Sequence, residues 1–135
     1  MTDAYSGTSL PRKLGVKRES VLAIIGDPRR FLRLVSPLPD GVSIKTSARV
    51  KADTVVFFTK QRRALERRID SLARMVFPDG GVWVCWPKRV SKVPTDMTED
   101  VVRAVVLPRG LVDVEVAAID ETWSGLRVVH RRENR

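Results

Sequence analysis

Three predominantly apolar stretches of the chain show no alternation of apolar and polar positions. They span residues 21–25, 53–59 and 82–86, and the last of them directly follows the pair Gly80-Gly81. Apolar runs of this length, bounded by turn residues, are typical of strands that are buried on both faces of a parallel sheet. The three stretches therefore predict the centre of a parallel β-sheet.

The segment between the second and third stretches shows the spacing of an amphipathic helix. Within residues 61–77, apolar side chains recur at intervals of four, three and four residues. This spacing places them on one face of a helix with about 3.6 residues per turn. The side chains are Leu65, Ile69, Leu72 and Val76.

Two shorter helices are predicted from their start signals. Asp27 is placed as an N-cap and Pro28 as a first helical residue, and this helix ends before Pro37 because the residue before a proline avoids the helical region. Residues 96–99 have the acid-x-x-Glu form of a capping box and predict a helix that extends to Pro108.

The remaining strands are shorter or more polar. Residues 42–45 are predicted to form a short second strand, and residues 111–119 alternate valines with acids, as is typical near a sheet edge. A final strand is predicted over residues 126–131. The link over residues 120–125 is too short for a crossover, so the last two strands are predicted to be antiparallel.

Together these elements predict an α/β fold. We expect a single three-layer Rossmann-like domain over residues 13–135, with a six-stranded, mainly parallel sheet and an antiparallel C-terminal hairpin. Residues 1–12 are polar and small and predict a flexible N-terminal arm. The link over residues 46–52 is short for a crossover, so it must be extended to bring the second and third strands to non-adjacent parallel positions.

Composition adds a strong positive charge to this picture. The 135 residues include 25 Lys and Arg against 16 Asp and Glu, a net charge of +9, and the hydrophobic content of 43% is that of a packed globule. Such a balance favours nucleic acid, phosphorylated small molecules or an acidic membrane surface as partners. The alternative is a general composition rich in arginine, with no particular partner.

The cysteine and histidine content limits the chemistry of the chain. Cys85 is the only cysteine, so an intramolecular disulfide and a tetrathiolate metal site are excluded, and its place in an apolar strand predicts an unreactive thiol. His130 is the only histidine and is predicted as a surface imidazole, with no metal site. The chain shows neither a signal peptide nor a membrane span, so we expect a cytoplasmic protein without a membrane partner.

The candidate site lies at the carboxyl edge of the predicted sheet. The irregular segments all follow the carboxyl ends of strands, and two helix N-termini that favour anions point to the same edge. Cations and two tryptophans are expected to line an anion site there. The predicted lining consists of Trp86, Lys88, Arg89, Trp123, Ser124, Arg29 and Lys60.

Several blocks of the chain carry a resemblance to a known family. They are KLGVK at 13–17, WPK at 86–88, TD at 95–96 and DETWSGL at 120–126. These blocks resemble those of a family of small bacterial proteins that carries a domain-of-unknown-function label. The C-terminal half also resembles class I S-adenosylmethionine-dependent methyltransferases. The resemblance implies a methyltransferase-like Rossmann fold and no activity.

The chain departs from a working methyltransferase at two cofactor contacts. The first βα turn of such a site needs several glycines, whereas this chain has Gly26 followed by Asp27 and Pro28. The second strand should end in a carboxylate for the ribose hydroxyls, whereas residues 45–47 are Lys-Thr-Ser. S-adenosylmethionine is therefore not expected as a cofactor, and we expect no cofactor and no catalytic residue.

The leading hypothesis is a small non-catalytic binding module with a site for a nucleotide or a phosphorylated ligand. One alternative is an S-adenosylmethionine-dependent methyltransferase. The other is a basic nucleic-acid-binding accessory protein. Arg63, Arg67 and Arg74 lie opposite the apolar stripe of the long helix, but Glu66 and Asp70 are spaced to pair with its arginines, so only weak binding to nucleic acid is expected.

Overall fold

The computed structural model describes residues 9–28 and 31–135. These residues contain six strands: β1 (Val21–Ile25), β2 (Ser43–Lys45), β3 (Thr54–Phe58), β4 (Gly81–Pro87), β5 (Leu111–Ala118) and β6 (Trp123–His130). The α-helices are α1 (Leu10–Lys13), α2 (Phe31–Val35), α3 (Arg62–Val76) and α4 (Glu99–Val106), with short 3-10 turns at Arg89–Ser91, Leu107–Arg109 and Arg132–Asn134. No helix within the described ranges is both long and apolar enough to cross a membrane.

All six strands belong to one sheet in the order β2-β1-β3-β4-β6-β5. The pairs from β2 to β4 are parallel, and β6 pairs antiparallel with both β4 and β5. The predicted fold class is therefore confirmed. The strands β2 and β3 flank β1 on opposite sides, so the short link between them crosses the sheet as the sequence requires, and Ala48 and Val50 pack against the core on the way.

The sheet separates two hydrophobic cores because successive strand residues point to opposite faces. On one face, side chains such as Phe57, Val84 and Trp86 pack with α3 and α4. On the other face, Phe58 and Trp83 belong to a smaller core that α1 and α2 cover. The helices that cover the two faces thus differ in length, since α3 has 15 residues whereas α2 has five.

Two predicted boundaries are corrected by the side chains that cap them. The strand β6 begins at Trp123 rather than at residue 126, because Asp120 Oδ1 accepts hydrogen bonds from the backbone N–H groups of Thr122 (2.8 Å) and Trp123 (2.7 Å) and closes the turn early. The N-cap of α4 is Thr98, whose hydroxyl accepts from Val101 N–H at 3.1 Å, and not Asp96.

The first helix start agrees with its signal in part. Asp27 Oδ1 accepts a hydrogen bond from Phe31 N–H at 3.2 Å, one residue beyond the donors that an N-cap side chain bonds. The helix that the structure describes begins at Phe31, so Pro28 precedes it. The predicted ligand residue Arg29 lies outside the described residues.

Candidate functional site

Three segments at the carboxyl edge of the sheet are joined by hydrogen bonds. Lys88 N–H, just after β4, donates to the carbonyl of Thr122 in the β5–β6 turn at 2.7 Å. The hydroxyl of Thr95 donates to the carbonyl of Lys60 at 2.7 Å, which ties the segment before α4 to the end of β3. These bonds connect the loops of the edge into one surface.

A cavity of about 290 Å³ opens at this edge, between the β1–α2 segment and the β5–β6 turn. Three aromatic rings form its walls, and neighbouring rings meet edge to face: the centroids of Phe31 and Phe58 and those of Phe58 and Trp123 are each 5.2 Å apart. The other lining residues are Pro28, Leu34, Ile119, Asp120, Glu121 and Thr122. The walls of the cavity are thus aromatic, and its described lining contains two carboxylates and no cation.

Three of the predicted cations lie on the same edge. Lys88 is half-buried, and its backbone contact with Thr122 places it next to the lining of the cavity. Lys60 and Arg89 are exposed, two residues after the ends of β3 and β4 respectively. None of the three forms an ion pair with another described residue, so their charges are available to a ligand.

The two tryptophans of the predicted site lie on opposite faces of the sheet. Both are buried, but Trp123 belongs to the smaller core and lines the cavity, whereas Trp86 belongs to the core under α3 and α4. Ser124 pairs with Trp86 in the β4–β6 register and therefore lies on the same face as Trp86. The structure thus brings the backbone of Lys88 into contact with the turn before Trp123 and places Lys60 and Arg89 on the same sheet edge, while Trp86 and Ser124 lie on the other face.

Sequence reasoning missed two walls of the cavity, Phe31 and Phe58. Both belong to elements of the predicted core, and both are buried. The available signal was the alternation of side chains along β3, which places Phe57 and Phe58 on opposite faces of the sheet. This alternation does not reveal that α2 is only about one and a half turns long. Because the helix is short, the ring of Phe58 lines a cavity.

The helix starts at this edge are already capped by side chains of the protein. Asp96 Oδ1 accepts a hydrogen bond from Arg62 N–H at 2.7 Å, so a carboxylate occupies the N-terminus of α3. At the N-terminus of α4, the hydroxyl of Thr98 accepts a hydrogen bond from Val101 N–H. The expected contribution of helix N-termini to an anion site is thereby reduced, and attraction for an anion rests on the side chains of the cations.

The single glycine of the β1–α2 turn serves packing. Gly26 has φ +73°, and a Cβ atom there would lie 2.6 Å from the backbone carbonyl oxygen of Phe58. The turn therefore presses directly against the end of β3. At the end of β2, the side chains of residues 45–47 are exposed and include no carboxylate.

Cys85 lies next to this site but inside the core. Burial raises the pKa of its thiol far above the usual range, and the negative charge of Asp120 raises that pKa further. We expect the native protein not to react with a disulfide reagent at about pH 8, and to react fully once guanidinium unfolds it. Release of the coloured thiolate measures this reaction, and rapid release from the folded protein would contradict the burial of Cys85.

His130 is half-buried rather than a surface imidazole. Its Nε2 lies 2.7 Å from the carbonyl oxygen of Ala73, and its ring meets that of Phe77 edge to face at 5.0 Å. These contacts fasten the end of β6 to α3. Within residues 9–28 and 31–135, no group of three or more His, Cys, Asp or Glu residues could hold a metal ion.

A larger cavity, of about 580 Å³, lies at the amino edge of the sheet. The side chains that line it carry both positive and negative charges, and two of them form hydrogen bonds with the backbone. Lys51 Nζ donates to the carbonyl of Phe77 at 2.9 Å, and Asp53 accepts from Val21 N–H at 2.8 Å. Ligands of open α/β sheets bind at the carboxyl edge, so the smaller aromatic cavity is the better candidate.

Comparison with solved structures places the fold among methyltransferases. The chain is similar to a SAM-dependent methyltransferase from Aquifex aeolicus (TM-score 0.58, 11% identity, 87% of this chain and 85% of that one). It is also similar to the magnesium protoporphyrin IX methyltransferase of Synechocystis PCC 6803 with bound SAH (0.53, 12%, 86% and 75%). A third is a protein of the NADB-Rossmann superfamily from Streptococcus agalactiae (0.53, 12%, 91% and 69%).

These likenesses establish a methyltransferase-like Rossmann fold and nothing finer, since the sequence identities are low. No protein-family model and no curated protein matches the sequence.

Proposed function

We propose that the chain is a binding module without methyl-transfer activity, and that its ligand is a nucleotide or another phosphorylated molecule with a planar ring. One observation carries the proposal: an aromatic cavity of about 290 Å³ lies next to the segment of Lys88 and Arg89, two cations that have no ion-pair partner among the described residues. The described lining itself contains no cation, so the phosphate would lie outside the cavity. Aromatic walls suit a ring, and free cations suit a phosphate.

Each part of such a ligand has a matching group in the site. The ring would contact Trp123 and Phe31, while the phosphate would lie over Lys88 and Arg89. Glu121 in the lining is exposed and would accept hydrogen bonds from sugar hydroxyls or ring amino groups. In this arrangement Asp120 accepts hydrogen bonds from the backbone of Thr122 and Trp123, and Glu121 is assigned to hydrogen bonding with the ligand, so the proposed role is binding.

The residues at the first turn do not fit S-adenosylmethionine. The cofactor turn of this fold brings backbone close to the ligand, whereas Gly26 is packed against the carbonyl of Phe58 and is followed by Asp27 and a proline. No carboxylate stands at the end of β2 to take the ribose hydroxyls. We therefore assign no methyl-transfer step to this chain.

Thermal unfolding in the presence of ligands tests the proposal. We expect nucleoside monophosphates and diphosphates to raise the Tm of the wild type, because a ligand at about 100 times its Kd adds about 2.7 kcal/mol to the free energy of unfolding. The double variant Lys88→Ala/Arg89→Ala should lose this rise. The matched control is Lys17→Ala/Arg18→Ala, which removes the same dipeptide from the opposite edge of the sheet and should keep the rise.

The unphosphorylated nucleoside and inorganic phosphate serve as separate arms. Each should raise the Tm less than the complete nucleotide does, because each occupies half of the site. The proposal fails if no anion raises the Tm of the wild type more than that of the Lys88/Arg89 variant.

The second candidate function is an S-adenosylmethionine-dependent methyltransferase. It is favoured by the likeness of the fold to methyltransferases over 87% of the chain. Calorimetry separates the two candidates: heat of binding at micromolar S-adenosylmethionine, a free energy of about −8 kcal/mol, would favour the enzyme. No heat at millimolar cofactor would remove that candidate and leave the binding module.

A further inference from the structure

The outer face of α3 is a line of arginines. Its apolar residues Leu65, Ile69, Leu72 and Val76 are buried in the core. At about 100° per residue, Arg63, Arg67 and Arg74 fall within about 40° of one another and opposite that apolar stripe. All three are exposed, and they extend over about 16 Å of the helix. The helix thus presents three guanidinium groups to solvent, and Asp70 lies on the same face between Arg67 and Arg74.

The acids of α3 have ion-pair partners other than these three arginines. Glu66 is paired with Arg62 at 3.0 Å, and Asp70 lies 3.7 Å from Arg109, which is outside the helix. Arg63, Arg67 and Arg74 form no ion pair with any residue in the described part of the chain. The predicted pairing of the acids with arginines of this helix is confirmed for Glu66, which pairs with Arg62, whereas Asp70 pairs with Arg109 beyond the helix.

Further cations extend the row at both ends of the helix. Beyond its C-terminal end, Arg49 and Lys51 line a shallow cavity of about 380 Å³ together with Arg74 and Ser71. Before its N-terminal end, Lys60 is exposed on the preceding loop. We call the whole surface, formed by Lys60, Arg63, Arg67, Arg74 and Arg49, the α3 basic band. No acidic side chain lines the cavity at its C-terminal end.

We propose that the α3 basic band binds the phosphate backbone of nucleic acid, independently of its base sequence. Cations in a row neutralise phosphates and release counterions, which is sufficient for such binding. An acidic membrane is the less suitable partner, because a helix that lies on a membrane needs an exposed apolar face. The apolar face of α3 is fully used by the core, with Leu65, Ile69 and Leu72 at 0% exposure.

The salt dependence of binding tests this proposal. Fluorescence anisotropy of labelled duplex DNA and single-stranded RNA would be measured from about 50 to 200 mM salt. Replacing Arg63, Arg67 and Arg74 by glutamine should reduce the slope of log affinity against log salt by about 2.7 for the duplex, because each neutralised phosphate contributes about 0.9. Over that salt range, the loss of affinity should then shrink about 40-fold relative to the wild type.

Three further proteins make the test specific. The triple Arg→Lys variant keeps the charges and should keep the slope. The triple variant Arg12→Gln/Lys17→Gln/Arg18→Gln removes the same charge from α1 and from the amino edge of the sheet, and should also keep the slope. The Lys88→Ala/Arg89→Ala variant should keep most of the slope. The proposal for the α3 basic band is thereby tested independently of the proposed nucleotide site.

Three results would overturn the proposal. The first is an equal loss of slope in the α3 and α1 glutamine variants, since binding would then reflect net charge alone. The second is an absence of binding to either nucleic acid at about 50 mM salt. The third is binding to phosphatidylserine vesicles that depends on the α3 arginines while nucleic acid does not bind, which would make the surface a membrane contact.

Discussion

Replacing Trp83 by alanine should lower the free energy of unfolding by about 3–5 kcal/mol, a large part of the total for a domain of this size. Trp83 is 0% exposed and belongs to the smaller core, which the short helices α1 and α2 cover. Its Nε1–H donates a hydrogen bond to the carbonyl of Leu14 at 3.0 Å, which fastens the segment after α1 to the sheet. Urea unfolding followed by circular dichroism measures the effect.

A milder pair of variants isolates that hydrogen bond. Trp83→Phe removes the indole N–H and leaves the carbonyl of Leu14 buried without its donor, which should cost about 1–3 kcal/mol beyond the loss of volume. Trp86→Phe removes a similar volume from the other core, where the indole has no hydrogen bond in the described structure. Equal losses in the two variants would show that the contact with Leu14 contributes nothing.

The sheet could be predicted from the sequence because its central strands are buried on both faces. Unbroken apolar runs identified β1, β3 and β4, with β1 placed residue for residue. The start of β6 was missed by three residues because Trp123-Ser124-Gly125 shows no apolar run, and its pairing depends on the turn that Asp120 closes. A local pattern predicts what a strand buries, whereas a side-chain cap in a turn decides where the strand begins.

The site could be predicted only to the level of the sheet edge. The cations Lys60, Lys88 and Arg89 lie where the fold places ligands, because the carboxyl ends of parallel strands share one edge. The separation of Trp86 from Trp123 onto opposite faces was not deducible, because it depends on the β4–β6 register. That register sets Pro87, not Trp86, opposite Trp123. One residue of register moves a side chain to the other face of the sheet.

The role of Asp96 illustrates the same limit for helix starts. Its spacing to Glu99 has the form of a capping box for α4, yet its carboxylate accepts from the backbone of Arg62 and caps α3 instead. The two helices are separated by β4 in the chain and are neighbours in space. A capping pattern is recognised from neighbouring residues in the sequence, whereas the backbone N–H group that donates to the capping side chain is determined by how the helices pack. This one contact places a negative charge where the sequence predicted attraction for an anion.

Replacing Gly26 by alanine should lower the free energy of unfolding by about 2–5 kcal/mol and remove the rise in Tm that the nucleotide produces. The new Cβ would lie 2.6 Å from the backbone carbonyl oxygen of Phe58. A backbone atom in a strand cannot move aside as the end of a flexible side chain can. The positive φ of +73° adds strain to any residue with a side chain. Relief of the overlap must move the turn that carries Pro28, and both Pro28 and Phe58 line the aromatic cavity.

Gly15→Ala is the control for backbone strain, because Gly15 has nearly the same φ of +78° but no atom within 4 Å of the place that a Cβ would take. That variant should lose only about 1–2 kcal/mol and keep the nucleotide response. The difference between the two variants then measures the contact of the β1–α2 turn with β3. Equal losses in both would mean that conformational strain alone accounts for Gly26. If the destabilised Gly26→Ala protein kept an unchanged nucleotide response, the β1–α2 turn would not be part of the ligand site. The ligand would then bind on the β5–β6 side of the cavity.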